Sequence, residues 1–298
     1  MEQIKIVKSI EDNSVNFINN EVKVGFFESR YVRRGEDYFI VYLSIQSGCD
    51  LGCRMCHLTA TKQKEYVNNT IDNLVNEARV VIEHYKNLVK NGIEKPAHHM
   101  HFNFMARGEA LNSEIFKNQE SAYELLSKLR KLAEEIKVSP RFLVSTIMPE
   151  SFSNNSLINS FKIIQPYIYY SLYSTNKDFR KIWLSKAMEV DRALEKLSEW
   201  NKFSDQKPKI HYAFIEGQND SEKDVIDICK KLKEYELKLD FNIVRYNPYS
   251  EKFGKESDII IIERNAKIIK EELNSNVKII PRVGRDVKAS CGMFIEKE

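Results

Sequence analysis

The chain has 298 residues, 42% of them hydrophobic, with 46 Lys and Arg against 43 Asp and Glu for a net charge of +3. No apolar run is long enough to span a bilayer, and Met1-Glu-Gln-Ile-Lys5 carries no signal-peptide core, so a membrane partner is excluded and a cytoplasmic protein is expected. Five cysteines, three of them in one short stretch, exclude a disulfide framework, while the near-balanced charge permits nucleic-acid binding without demanding it.

In chain order, alternating runs at Val15–Ile18 and Val22–Phe27 predict a small β extension over residues 1–38. Apolar, β-rich stretches then recur at Phe39–Ile45, Met100–Met105, Arg141–Ser145, Tyr167–Tyr173, Ile210–Ile215 and Leu239–Arg245. Helical spacing fills the intervals at Ile71–Asn91, Ser121–Ile136, Ala187–Trp200, Ser221–Tyr235 and Asp258–Leu273, with a weaker segment at Ser153–Phe161. Asn219-Asp220-Ser221 reads as the capped start of the helix that follows. Six β/α units in series imply a parallel sheet with right-handed crossovers. Six falls short of a closed eight-fold barrel, so the expected fold is an α/β, partial (β/α)6 TIM-like barrel over residues 39–298. No linker or internal repeat interrupts it, which predicts a single domain over residues 1–298.

Ser47-Gly-Cys-Asp-Leu-Gly-Cys-Arg-Met-Cys56 directly follows the first of these strands and places Cys49, Cys53 and Cys56 in a C-x3-C-x2-C run. Three thiolates at this spacing hold three corners of a [4Fe-4S] cluster and leave the fourth iron open to another ligand. The competing chemistry is zinc, which wants four ligands, usually as two C-x2-C pairs. His57 is the one neighbouring fourth ligand, and adjacent ligands close a tetrahedron poorly.

Barrel chemistry gathers where strands end, because the loops there open into one mouth. The second strand ends in Arg107-Gly-Glu-Ala-Leu-Asn112, where Gly108 admits close backbone approach and Glu109 accepts hydrogen bonds from an ammonium. Val144-Ser-Thr146, Ser171-Leu-Tyr-Ser-Thr-Asn176 and Arg245-Tyr-Asn-Pro-Tyr249 end the third, fourth and sixth strands. Each alone is an ordinary turn; their placement at successive strand ends makes the signal.

These words, with Ser44-Ile-Gln-Ser-Gly-Cys49, Gly217-Gln-Asn-Asp-Ser221 and Gly284-Arg-Asp-Val-Lys-Ala-Ser-Cys-Gly292, make the chain resemble the RlmN/Cfr family of radical S-adenosylmethionine (SAM) RNA adenine methyltransferases over about Lys5 to Met293. The resemblance implies a [4Fe-4S] cluster on Cys49, Cys53 and Cys56. It implies SAM bound on its open iron and held through Gly108, Glu109, Ser145, Ser171, Tyr173 and Asn247. It further implies that Cys291 is methylated by one SAM, loses a hydrogen atom to the radical made from another, and adds the resulting carbon to an adenine. An electron donor such as flavodoxin or ferredoxin would serve the cluster, with RNA or a nucleotide-like small molecule as partner. The plain alternative for Cys291 is a buried structural thiol.

The departures are specific. Tyr42 stands where the family has the cysteine that resolves its adduct, Tyr173 where it commonly has His, Ala110 where it usually has Pro, and Met55 where an aromatic is usual. The chain also starts too close to the cluster motif to contain the family's N-terminal accessory domain. The alternative function is therefore a radical SAM enzyme acting on a small nucleotide or modified nucleobase by hydrogen abstraction, without methylation. A non-catalytic nucleic-acid-binding relative is disfavoured by the intact cysteine run with Gly108-Glu109. Other features read as scaffold: Cys229 as a core residue, His98, His99 and His101 as surface or packing residues, Tyr167, Tyr169 and Tyr170 as sheet packing, and the basic group Lys128 to Lys131 as a solvated helix face.

Overall fold

The computed structural model describes residues 4–19 and 22–296. Its strands form one sheet in strict chain order, β1 to β10. The antiparallel part is β1 (Lys5–Lys8), β2 (Val15–Asn19) and β3 (Phe27–Gly35), with β3 also antiparallel to β4 (Tyr38–Tyr42). From β4 onward every pairing is parallel: β5 (His99–Phe104), β6 (Ser139–Thr146), β7 (Tyr167–Ser171), β8 (Lys209–Tyr212), β9 (Asp240–Val244) and β10 (Val277–Ile280). No pairing between β1 and β10 closes the sheet among the described residues, so the barrel is partial. The same residues contain no helix long and apolar enough to cross a membrane.

Helices fill the intervals between the strands. They are α1 (His57–Ala60), α2 (Ile71–Lys90), α3 (Glu114–Lys117), α4 (Gln119–Glu135), α5 (Leu157–Phe161), α6 (Lys177–Trp183), α7 (Val190–Phe203), α8 (Glu222–Glu234) and α9 (Ile259–Leu273). In α2, Thr70 caps the start by accepting from the Asn73 amide, and Leu74, Ala78, Val81 and Tyr85 recur at helical spacing as a buried stripe. The same logic sets α8, where Ser221 caps and Val225, Ile228, Cys229 and Leu232 face the core. Cys229 is fully buried, as expected of a core residue. Lys128 pairs with Glu124 and Asp72 on a solvated face.

All six predicted parallel strands are present, within a few residues of their expected bounds. Several elements were not foreseen: β1, the short helices α1 and α3, α6, and β10, a seventh parallel strand of four half-exposed residues too short to show a period. The predicted run at Val22–Phe27 is corrected. Gly25 takes φ +69°, the chain bends there, and the strand begins only at Phe27. A Cβ at Gly25 would stand 2.5 Å from the Ser47 carbonyl oxygen, so the bend lets the extension press against the cysteine loop.

Candidate active site

The cysteine loop leaves β4 and is stitched to distant segments by its own backbone. The Cys49 amide donates to Gln63 (3.1 Å), that of Arg54 to Trp183 (2.9 Å), and that of His57 to Gly292 (3.0 Å). The last bond matters most, because Gly292 adjoins Cys291. The Asn247 side-chain amide donates to the Cys291 carbonyl (3.0 Å) and the Arg245 carbonyl (3.2 Å), while the His57 ring contacts the Asn247 carbonyl at 3.1 Å. A carbonyl only accepts, so His57 Nε2 carries the proton. His57 and Asn247 thereby clamp the end of β9 and the C-terminal turn against the cysteine loop.

One cavity of about 150 Å³ at the strand ends is lined by Cys49, Cys53 and Cys56, by Gly108 and Glu109, by Ser145, Ser171 and Tyr173, and by Cys291. Asn247 does not line this cavity; it joins it through its bond to the Cys291 carbonyl, and its Oδ1 is buried without a hydrogen-bond partner. Sequence reasoning thus named residues that folding brings together from one end of the chain to the other.

The chemistry of these groups follows from burial. Desolvation raises the Cys49 and Cys53 thiols well above their usual range and Cys56 to about 11, with the neighbouring thiols adding repulsion. Free, these thiols stay protonated and inert; a multivalent positive centre among them is what makes them thiolates. No group of three or more His, Cys, Asp or Glu among the described residues is placed to hold a single metal ion. Three thiols lining one cavity fit a [4Fe-4S] cluster, which takes one thiolate at each of three irons.

Gly108 has φ +95°, and a Cβ there would lie 2.7 Å from that of Gln46. Glu109 follows with its amide donating to Gln46 Oε1 (3.1 Å) and its carboxylate accepting from the amides of Leu111 (3.1 Å) and Ile147 (3.2 Å). Burial pushes its carboxyl up to about 7. An incoming ammonium would draw the proton off and find a fixed acceptor.

Tyr173 sits at φ +56°, uncommon for a bulky residue. Asn219 holds it there: its side-chain amide donates to the Tyr173 carbonyl (2.9 Å) and the Ala213 carbonyl (3.0 Å), and its Oδ1 accepts from Ile215 (2.7 Å). The residue read in sequence as part of a helix cap instead locks two strand ends beside the cavity.

Sequence reasoning missed the charged floor under the C-terminal turn. Glu28, Arg30 and Arg107 are buried together, with Glu28 shared between Arg30 (3.3 Å) and Arg107 (3.2 Å). Arg107 also lies over the Phe26 ring at 3.9 Å and Arg30 over that of Phe294 at 5.0 Å. Tyr42 and His211 line the cavity as well. Glu28 and Arg30 lie beyond the predicted strand at 22–27 and Arg107 heads the turn read for Gly108 and Glu109, so no spacing announced their ion cluster. The three histidines near β5 are scaffold: His98 Nδ1 meets Asp37 at 2.8 Å on the surface, and His101 stacks on Tyr38 at 4.5 Å.

Comparisons with known proteins place this geometry. The fold matches a radical SAM methyltransferase from Sphaerobacter thermophilus with a TM-score of 0.76 over 97% of this chain and 80% of that one, at 16% identity. In sequence, the chain is 26% identical over 266 residues to "Ribosomal RNA large subunit methyltransferase Cfr" of Staphylococcus warneri, covering 85% of this chain and 68% of that protein. It is 22% identical over 291 residues to "Probable dual-specificity RNA methyltransferase RlmN" of Malacoplasma penetrans, covering 95% and 75%. No family model matches.

Proposed function

We propose that this chain is a radical SAM enzyme of the RlmN/Cfr type that methylates a carbon of an adenine in RNA, with Cys291 as methyl carrier. The observation that carries it is the convergence of the cysteine run and Cys291 on one cavity at the strand ends, in a chain whose relatives carry RNA methyltransferase names. Bound together, a [4Fe-4S] cluster and SAM supply a 5′-deoxyadenosyl radical. Cys49, Cys53 and Cys56 hold the cluster. Gly108 lets the backbone approach SAM, Glu109 accepts from its ammonium, and Ser145, Ser171, Tyr173 and Asn247 complete its cradle. Cys291 is exposed at the surface of the cavity, which gives a methyl group on its sulfur access to both radical and substrate. A reducing cytoplasm, a flavodoxin- or ferredoxin-like donor and a single domain over residues 1–298 belong to the same reading; the continuous sheet supports the last.

One observation favours a second reading, in which a small nucleotide or modified nucleobase undergoes hydrogen abstraction without methylation. The cavity that Cys291 lines is also lined by a phenol, Tyr42, at the position where the resemblance expects a cysteine, and a phenol forms no disulfide. Anaerobically reconstituted protein, given SAM, a reductant and an adenine-containing RNA, decides between them. We expect 5′-deoxyadenosine, methyladenine in the RNA and an S-methyl group on Cys291, the last two absent in Cys291→Ala. An unmodified Cys291 thiol in protein that makes 5′-deoxyadenosine overturns the methyltransferase reading.

A further inference from the structure

Arg34 extends from β3 behind Tyr42, and its Nη1 donates to the Tyr42 hydroxyl oxygen at 3.0 Å. Guanidinium has only donors, so the phenol oxygen is the acceptor and its own proton must go elsewhere. None of the described residues accepts that proton, and the Tyr42 side chain lines the cavity that Cys291 also lines. No carboxylate pairs with Arg34 among the described residues, and its Nε is buried without a partner. An unneutralised cation behind a phenol polarises the O–H and makes it a stronger donor.

His211, at the end of β8, is the second unexplained group. It is 7% exposed, lines the same cavity, and makes only a ring contact, edge-on to Tyr169 at 4.7 Å. Burial, with the charges of Arg34 and Lys209, lowers it to about 3, so the imidazole is neutral and offers one donor and one acceptor. Buried polar groups left open in this way cost stability unless a ligand completes them. Glu109, the carboxylate of the cavity, already receives two backbone amides.

We propose that Tyr42, backed by Arg34, donates a hydrogen bond to a ring nitrogen of the substrate's heterocycle and holds it against Cys291, while neutral His211 meets the same edge. Tyr42 is then a specificity-determining residue rather than a spectator in the cavity that the methyl carrier lines. The inference rests on the adenine reading. A purine brings ring nitrogens that accept and an amino group that donates, matching the set of one fixed donor and one neutral imidazole.

The test is a cycle between protein and substrate, read as equilibrium binding to the anaerobic, cluster-loaded full chain with SAM present. Short oligoribonucleotides carry adenine or its 1-deaza, 3-deaza or 7-deaza analogue, each replacing one ring nitrogen by C–H. We expect one analogue to bind wild type about tenfold more weakly than adenine. Tyr42→Phe should weaken adenine binding by a similar factor and leave that analogue's affinity unchanged, with iron content preserved. Arg34→Met, which keeps the phenol, should give a smaller loss with the same non-additivity, and serves if Tyr42→Phe misfolds. Losses that add for all three analogues, or a Tyr42→Phe protein that binds as wild type, overturn the subsite alone. Methyl transfer by wild type is scored separately, so the adenine reading fails on its own measurement. A wild type that binds none of the oligonucleotides overturns both.

Discussion

Beside the ends of β5 and β6, the carboxylate of the cavity is tied into the scaffold. Glu109 takes two backbone amides, its own amide donates to Gln46, and the Gln46 amide donates to Asn68 at 3.0 Å. At β3, β4 and β8, other groups of the cavity are left open: Arg30 Nε is buried without a partner, and the Tyr42 proton and the His211 ring make no hydrogen bond of their own among the described residues. A buried group without a partner costs about 1–3 kcal/mol, a burden that Arg30 Nε carries and Glu109 avoids. The lesson is one of preorganisation. A saturated wall fixes a ligand that is always the same, which suits a cofactor; an unsaturated wall waits for a partner that comes and goes, which suits a substrate.

The comparison breaks first at the cluster. Cys53→Ala removes one of three grips, and we expect iron content and 5′-deoxyadenosine formation to fall to background, measured on anaerobically reconstituted protein. Retained iron with full activity would dissolve the distinction between the walls. Gly108→Val tests the rigid side more sharply, because its Cβ meets Gln46 at 2.7 Å and its φ of +95° disfavours a side chain. We expect a loss of about 3 kcal/mol and a melting temperature lower by about 6 °C, before any ligand is added.

Glu109 gives the same wall a pH signature. Its folded-state value, near 7, lies above the ordinary 4.5, so the folded protein keeps a proton that the unfolded chain has lost between those values. Stability therefore falls as pH rises from about 4.5 through 7, by on the order of 3 kcal/mol in total. Glu109→Gln should remove that decline in ligand-free protein, read as chemical denaturation midpoints at several pH values. A slope should remain, because Glu77 is raised in the same direction, to about 8, by its burial on the inner face of α2 despite hydrogen bonds from Asn69 and Asn73. An unchanged pH profile in Glu109→Gln would place that carboxyl in water.

How much of this was legible beforehand depends on what repeats in a sequence. Parallel strands and amphipathic helices declare themselves through period, and six strands were found that way; β10 had four residues and no period to show. The cysteine run and the turns after Phe104, Val144 and Ser171 were legible because short spacing fixes local geometry. The His57–Asn247–Cys291 clamp was not, since its members come together only when β9 and the C-terminal turn pack on the cysteine loop. Asn219 shows the same limit: its cap-like context was read, while its hold on Tyr173 depends on two strand ends meeting.

That clamp yields the smallest effect and the finest test. Asn247 divides its side chain, with the amide spent on the carbonyls of Cys291 and Arg245 and the Oδ1 left buried and open. Its donor half belongs to the rigid scaffold and its acceptor half to the side that waits for a ligand. Asn247→Ala loses both, and we expect about 1 kcal/mol of stability to go with them, together with faster amide exchange around 289–293. Asn247→Asp separates the halves. It keeps an acceptor but presents a charged oxygen to two carbonyls, so the turn should loosen at least as much as in the Ala variant. SAM affinity should then follow the acceptor, falling in Ala and holding better in Asp. If SAM affinity instead tracks the loosening of the turn, Asn247 acts on the cofactor only by positioning Cys291, and its open oxygen belongs with the rigid wall.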